Sequence, residues 1–291
     1  MGISRARWLV TGAGGQLGLS LLAAARAAGV EMHGRDRAAL DIADTASIER
    51  ALDEVQPQVV VNAAAFTQVD LCETQREDAR RVNGRGPERL ARACRGRALL
   101  VHVSTDYVFA GDEPLPIAED AALAPRTVYG ESKAEGERAV RESGCEHLIV
   151  RSQWLYGEGR NFVRTILAAA ASGEPLRVVE DQLGRPTATL PLAEGILAAV
   201  RQGCRGTLHL ACEGVASRYD FACAIVLEGA RRGLTKQVEV SACSTSALAR
   251  PATRPAYAVL GLERARAAGL RLPHWSAALQ AYLDEEVGRH A

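Results

Sequence analysis

Tyr129 and Lys133 stand four residues apart in the run Tyr-Gly-Glu-Ser-Lys, and Lys133 is one of only two lysines in 291 residues. A helix carries side chains at that spacing on one face. A free tyrosine titrates near pH ~10 and exchanges a proton poorly at neutrality. A neighbouring ammonium favours the phenolate and lowers that value. The tyrosine can then act as acid or base toward a carbonyl or alcohol oxygen. Upstream, residues 104–109 read Ser-Thr-Asp-Tyr-Val-Phe. A hydroxyl from Ser104 or Thr105 would complete the polar surroundings of a reacting oxygen, with the carboxylate of Asp106 beside it. Each piece has a plainer reading: capping hydroxyls, a turn aspartate, a solvated helix face. Their order along the chain, behind a glycine turn, favours chemistry.

That turn is Thr11–Gly18, TGAGGQLG, in which Gly12, Gly15 and Gly18 recur at every third residue. Glycines permit close backbone approach, and the helix that follows aims its free N–H groups at a pyrophosphate. The context, strand before and helix after, is the one a dinucleotide site requires. The second strand ends in Gly34-Arg35-Asp36-Arg37. Asp36 suits the ribose hydroxyls of NAD, whereas Arg35 or Arg37 suits the 2′-phosphate of NADP. Arg37 tilts the reading toward NADPH, with NADH the alternative. Asp41 could meet the adenine edge or cap the next helix. The small residues of Asn62–Thr67, NAAAFT, leave room for a flat cofactor or for tight packing.

These groups need a scaffold. Short apolar runs at Trp8–Thr11, Val30–Gly34, Val59–Ala63, Leu99–Ser104 and His147–Arg151 read as strands. Between them, Leu17–Ala28, Thr45–Val55 (Thr45 as N-cap), Glu77–Cys94 and Ser132–Glu142 read as helices. The alternation predicts an α/β Rossmann-type doubly wound parallel sheet, with ligands at the carboxyl ends of its strands. Past Arg151 the pattern loosens. Phe162–Ala171, Leu190–Arg201, Tyr219–Arg231 and Trp275–Glu286 read as helices, Leu176–Val179 and Thr207–Ala211 as extended, and Pro251 with Pro255 as a turn. The expected organisation is a dinucleotide-binding domain over 1–152. A smaller C-terminal substrate lobe over 153–291 would follow, with some segments returning to the sheet.

Composition narrows the function classes. A 47% hydrophobic, 24% charged chain of zero net charge carries no electrostatic footprint for nucleic acid or an anionic membrane. It holds no apolar run of membrane-spanning length. The N-terminus runs straight into a strand, so no signal peptide is expected and the cytoplasm is the expected compartment. Seven cysteines, an odd number with no Cys-x-x-Cys, disfavour disulfides and zinc. No metal-ligand set is evident.

With these motifs in place the chain resembles the extended short-chain dehydrogenase/reductases, and within them the dTDP-4-dehydrorhamnose reductase family. The resemblance runs through GQLG (Gly15–Gly18), LDI (Leu40–Ile42), NAAAFTQVD (Asn62–Asp70), STDYVF, YGESK, RSQWLYG (Arg151–Gly157), DQLGRPT (Asp181–Thr187) and RPAY (Arg254–Tyr257). It implies reduction by NADPH or NADH of the C4 ketone of dTDP-4-dehydro-6-deoxy-L-mannose, giving dTDP-β-L-rhamnose. Tyr129 would be the proton donor, and Lys133 would hold the nicotinamide ribose and tune Tyr129. Thr105 would sit at the reacting oxygen, and Asp106 and Trp154 at the sugar. Gly15, Gln16, Leu17, Asp41, Ile42, Ala64, Ala65 and Phe66 would lie along the cofactor. Asn161, Arg185, Pro186 and Thr187 would face the dTDP side, with Arg185 a pyrophosphate partner. Some family members form dimers through Mg2+ held by glutamates, one on the first helix. Leu17–Leu22 has no acid, which disfavours such a bridge, and a monomer or homodimer is expected. Other readings are another nucleotide-sugar ketoreductase, an epimerase, a dehydratase or a non-catalytic regulatory subunit. The absence of an Asp-Glu pair after Thr105 disfavours dehydration, and the intact Thr105–Tyr129–Lys133 set disfavours a pure binding module.

Overall fold

In the computed structural model, which describes residues 6–248 and 250–290, six strands form one parallel sheet. They are β1 (Trp8–Thr11), β2 (Met32–Arg35), β3 (Val59–Asn62), β4 (Leu99–Thr105), β5 (His147–Ser152) and, from far along the chain, β10 (Gly206–His209). Their spatial order is β10-β5-β4-β3-β1-β2, with every neighbouring pair parallel. The chain steps outward from β1 to β2 and then back across β1 to β3. Above that reversal a crevice opens at the carboxyl strand ends.

The near-continuous apolar runs are explained by burial on both faces. Alternate residues divide between two cores. Leu9, Val60, Leu100 and Ile149 pack toward α2 (Thr45–Val55), α5 (Gly86–Cys94) and α6 (Val128–Glu142). Trp8, Val10, Val61, Val101 and Val150 pack on the opposite face toward α1 (Gln16–Ala27) and α8 (Thr189–Arg201).

Four departures from the sequence reading bear on the site. The predicted helix over Glu77–Cys94 is broken into α4 (Arg76–Ala79), a π-helical turn at Arg80–Arg85 and α5. A Cβ on Gly136 of α6 would lie 2.2 Å from the Asn83 carbonyl, so α6 abuts this turn backbone to backbone. A short helix, α3 (Val69–Thr74), follows the alanine-rich strand end, where the sequence reading placed none. The N-cap of α2 is Asp44 rather than Thr45, its carboxylate accepting from Ala46 N at 3.0 Å. Helix α6 starts at Val128, ahead of the predicted Ser132, because the Thr127 hydroxyl accepts from Gly130 N at 3.0 Å.

Beyond β5 come β6 (Leu155–Tyr156), α7 (Phe162–Ala171), β7 (Leu176–Val179), β8 (Leu183–Gly184) and β9 (Thr187–Ala188). Past α8 and β10 come β11 (Ala216–Ser217), α9 (Arg218–Arg231), β12 (Val240–Cys243), α10 (Glu263–Ala267) and α11 (Trp275–His290). The short strands pair as β6–β9, β7–β12 and β8–β11. Tyr156, Phe162, Phe221, Trp275 and Tyr282 form a chain of ring contacts that ties α7, α9 and α11 together.

Candidate active site

The early start of α6 places Tyr129 in its first turn, with Lys133 one turn on and Glu137 one turn further. All three are nearly inaccessible, at 9%, 2% and 0% exposure. Thr105 closes β4 beside them. Its hydroxyl donates to Asp106 Oδ1 at 2.8 Å and lies close enough to the Tyr129 phenol to favour its ionised form. Tyr107 meets the Tyr129 ring edge-on at 5.4 Å.

Burial pushes the Tyr129 phenol well above its ordinary range, against the opposing effect of Thr105. This corrects the expectation that Lys133 lowers it. The Lys133 ammonium is turned to the β4 backbone, donating to the Val103 carbonyl at 2.6 Å. Burial pushes Lys133 itself down to about 8, opposed by the charge of Glu137. Tyr129 is therefore a neutral phenol at neutral pH, an acid ready to donate. Burial also pushes Asp106 up to about 6, against the Thr105 hydrogen bond and the charge of Arg218.

Glu137 is held from behind. Arg151 Nε and Nη2 donate to its two oxygens at 2.9 and 2.7 Å. Arg151 also donates to the Glu119 carbonyl at 3.0 Å, which fixes α6 against β5. The two side chains are 0% and 1% exposed.

The glycine turn is shaped for a phosphate chain. Gly12 has φ +66, and a Cβ there would lie 2.8 Å from Ala64 N; on Gly18 it would lie 2.3 Å from the Gly12 carbonyl. Gly15 is the N-cap of α1. No side chain caps that end, and its first turn holds no acid, so its N–H groups suit an anion. Gln16 Nε2 donates to the Arg160 carbonyl at 3.1 Å, and its Oε1 is buried without a partner. Buried and unpartnered too are Asp106 Oδ2, Ser152 Oγ and both amide atoms of Gln153, at the carboxyl ends of β4 and β5. Buried polar atoms are nearly always partnered, so this cluster fits a polar ligand lying along the strand ends.

The other expected cofactor residues fall into place unevenly. Asp36 is exposed beside Gly14, its carboxylate accepting from Ala39 N at 3.0 Å. Arg37 is exposed. The carboxylate of Asp41 accepts from Ala43 N at 2.9 Å. Leu17 and Ile42 are buried core residues, while Ala64, Ala65 and Phe66 are half-buried past β3. Sequence reasoning missed Asn83, in the π turn. Its amide accepts from Phe66 N at 2.8 Å and donates to the Phe66 carbonyl at 3.0 Å and to Ser132 Oγ at 3.1 Å. It thus pins the alanine-rich loop to the helix of Tyr129.

On the lobe side, Trp154 is half-buried in the left-handed region, at φ 49. The expected dTDP-side residues are engaged within the protein. Asn161 caps α7, accepting from Arg164 N at 3.0 Å, and donates to the Gly157 carbonyl at 2.5 Å. Arg185, expected to meet pyrophosphate, instead donates to the Leu260 and Gly214 carbonyls at 2.8 and 2.9 Å. Pro186 is buried, and Thr187 donates to the Arg185 carbonyl at 2.9 Å. Their polar groups hold the lobe's loops together, which is what their buried surroundings demand.

A family model described as the RmlD substrate binding domain matches residues 6–287. The chain belongs to this family. It is 43% identical to a dTDP-4-dehydrorhamnose reductase of Mycobacterium tuberculosis H37Rv, covering 94% of this chain and 91% of the relative. It is 41% identical to a dTDP-4-keto-6-deoxy-D-glucose reductase of Streptomyces niveus, covering 94% and 95%. Among solved structures, a dTDP-4-dehydrorhamnose reductase of Bacillus anthracis in complex with NADP superposes with a TM-score of 0.91. It is 33% identical, over 97% of this chain and 99% of that one.

Proposed function

We propose that this member of the RmlD substrate binding domain family is an NADPH-dependent dTDP-4-dehydrorhamnose reductase, with NADH the alternative donor. It would convert the C4 ketone of dTDP-4-dehydro-6-deoxy-L-mannose to the alcohol of dTDP-β-L-rhamnose. The observation that carries the reading is the buried, neutral phenol of Tyr129 beside Thr105, whose hydroxyl donates to Asp106. The names of the relatives support it. The Streptomyces niveus relative, named for a different 4-keto sugar, makes 4-ketoreduction the common ground.

When bound, the reduced nicotinamide supplies a hydride to C4. Everything else falls to the chain. The glycine turn and the open end of α1 cradle the pyrophosphate, Arg37 faces the 2′-phosphate, and Ala64, Ala65 and Phe66 line the cofactor. Tyr129 gives its phenolic proton to the C4 oxygen as negative charge grows there. Thr105 closes the polar wall beside that oxygen and gives its own proton to Asp106 Oδ1, while the free Oδ2 of Asp106 accepts from a sugar hydroxyl. Lys133, its charge supported by Glu137, holds the nicotinamide ribose. Residues 1–152 serve mainly the dinucleotide and 153–291 mainly the sugar nucleotide, with Trp154 as a wall of the sugar site.

The test is oxidation of NADPH in the presence of the 4-keto sugar generated in situ. The expected result is sugar-dependent oxidation that falls about 10²–10⁴-fold in Tyr129→Phe while NADPH still binds. No oxidation by the wild type with either cofactor would sink the reductase reading. Near wild-type turnover in Tyr129→Phe would remove the acid role.

A further inference from the structure

Three arginines converge on the mouth of the site. Arg254 is taken up by Asp70, which accepts from its two terminal nitrogens at 2.8 and 2.7 Å, and Arg250 lies 4.0 Å from the same carboxylate. Arg218 differs. Its guanidinium carbon sits 3.6 Å over the Trp154 ring and 5.0 Å from that of Phe162. Among the described residues, its side chain makes neither a hydrogen bond nor an ion pair. Its charge interacts with Asp106 and Tyr107 on one side and repels Arg250 and Arg254 on the other.

The platform under it is built. Trp154 adopts φ 49, a conformation that disfavours bulky residues, and its carbonyl accepts from Thr187 N at 3.2 Å. A Cβ on Gly184 would lie 2.6 Å from the indole, so backbone supports the ring directly. Ser217 and Asp220 close the start of α9 with a capping box. The open donors at this end of the helix therefore belong to the Arg218 side chain and not to the helix N-terminus.

An unpaired guanidinium matches the oxygens of a phosphate with two parallel N–H donors. In a sugar nucleotide the diphosphate hangs from C1, across the ring from C4. With the C4 oxygen at Tyr129 and a hydroxyl at Asp106, it projects toward the mouth. We propose that Arg218, braced on Trp154, binds the diphosphate of the nucleotide sugar, the task that Arg185 is too engaged to perform. The inference rests on the nucleotide-sugar reading of the site.

Calorimetric titration of dTDP, thymidine and NADPH into the wild type, Arg218→Gln and Arg218→Lys tests it without turnover. The expected result is dTDP binding about tenfold or more weaker in Arg218→Gln and partly restored in Arg218→Lys. Thymidine and NADPH should bind all three proteins alike, the NADPH titration also reporting an intact fold. A dTDP affinity within about twofold of wild type in Arg218→Gln would overturn it, as would an equal loss for thymidine or a wild type that does not bind dTDP. A wild type that binds dTDP through Arg218 yet oxidises no NADPH would refute the reductase reading alone.

Discussion

Gly130 follows the proposed proton donor and offers a sharp test of how the site is held. A Cβ there would lie 2.1 Å from the Tyr107 carbonyl and 3.0 Å from Pro125 Cβ, where ordinary contact begins at 3.4 Å. Gly130→Ala must therefore drive α6 and the turn at Asp106–Val108 apart by roughly 1 Å. That displacement falls on the contact between Tyr129, one residue before the glycine, and Thr105, two residues before Tyr107. A misplacement of about 1 Å costs on the order of 100-fold in rate, and overpacking of this kind costs about 1–3 kcal/mol in stability. The expected result is kcat about 100-fold down and a Tm several degrees lower, with NADPH affinity changed much less than kcat because the glycine turn is remote. Gly203→Ala is the control. That residue has φ +74 and nothing within 4 Å of a new Cβ, so it should lose about 1–2 kcal/mol and no kcat. A Gly130→Ala enzyme within about twofold of wild-type kcat, or equal slowing by Gly203→Ala, would refute the reasoning.

The charges in the site set a pH window. Asp106, at about 6, ionises as pH rises and can then accept from Thr105 and the sugar; Lys133, at about 8, loses its charge as pH rises further. The profile of kcat/KM should be bell-shaped between those values, and a flat profile from pH ~5 to ~9 contradicts it. Glu137→Gln removes the charge that supports Lys133, so its alkaline limb should move lower. It also leaves Arg151 buried without its partner, at a cost of about 3–5 kcal/mol in thermal or denaturant unfolding; an unmoved alkaline limb would show that Glu137 does not tune Lys133. Arg37→Ala should weaken NADPH about tenfold or more and leave NADH unaffected; equal effects on both would remove Arg37 from the 2′-phosphate.

Where the chemistry depends on local spacing, the sequence exposed it. The turn Gly12–Gly18, the Tyr129–Lys133 pair and the strand end at Thr105–Asp106 are short motifs whose neighbours in space are neighbours in sequence. The residues it hid act at long range. Asn83 joins Phe66 to Ser132 across 17 and 49 residues, and the π turn that aims it reflects close packing against Gly136 rather than any local signal. Arg218 meets Trp154 only because the lobe folds β8, β11 and the start of α9 together. In the run Asp181–Thr187, the family resemblance alone placed Arg185, Pro186 and Thr187 toward the ligand. Burial turned Arg185 and Thr187 inward to carbonyl groups instead. The Lys133 effect on Tyr129 was misjudged because sequence spacing shows neither the Val103 carbonyl that takes the ammonium nor the depth of burial around the phenol.

The central claim is transfer of a hydride to C4 with a proton from Tyr129 to its oxygen. It is tested most directly by running the reaction with NADPH deuterated at the transferring position of nicotinamide C4 and examining the sugar by NMR. The account predicts dTDP-β-L-rhamnose carrying deuterium at C4 and nowhere else. A product without deuterium, or one labelled at another carbon, would contradict it.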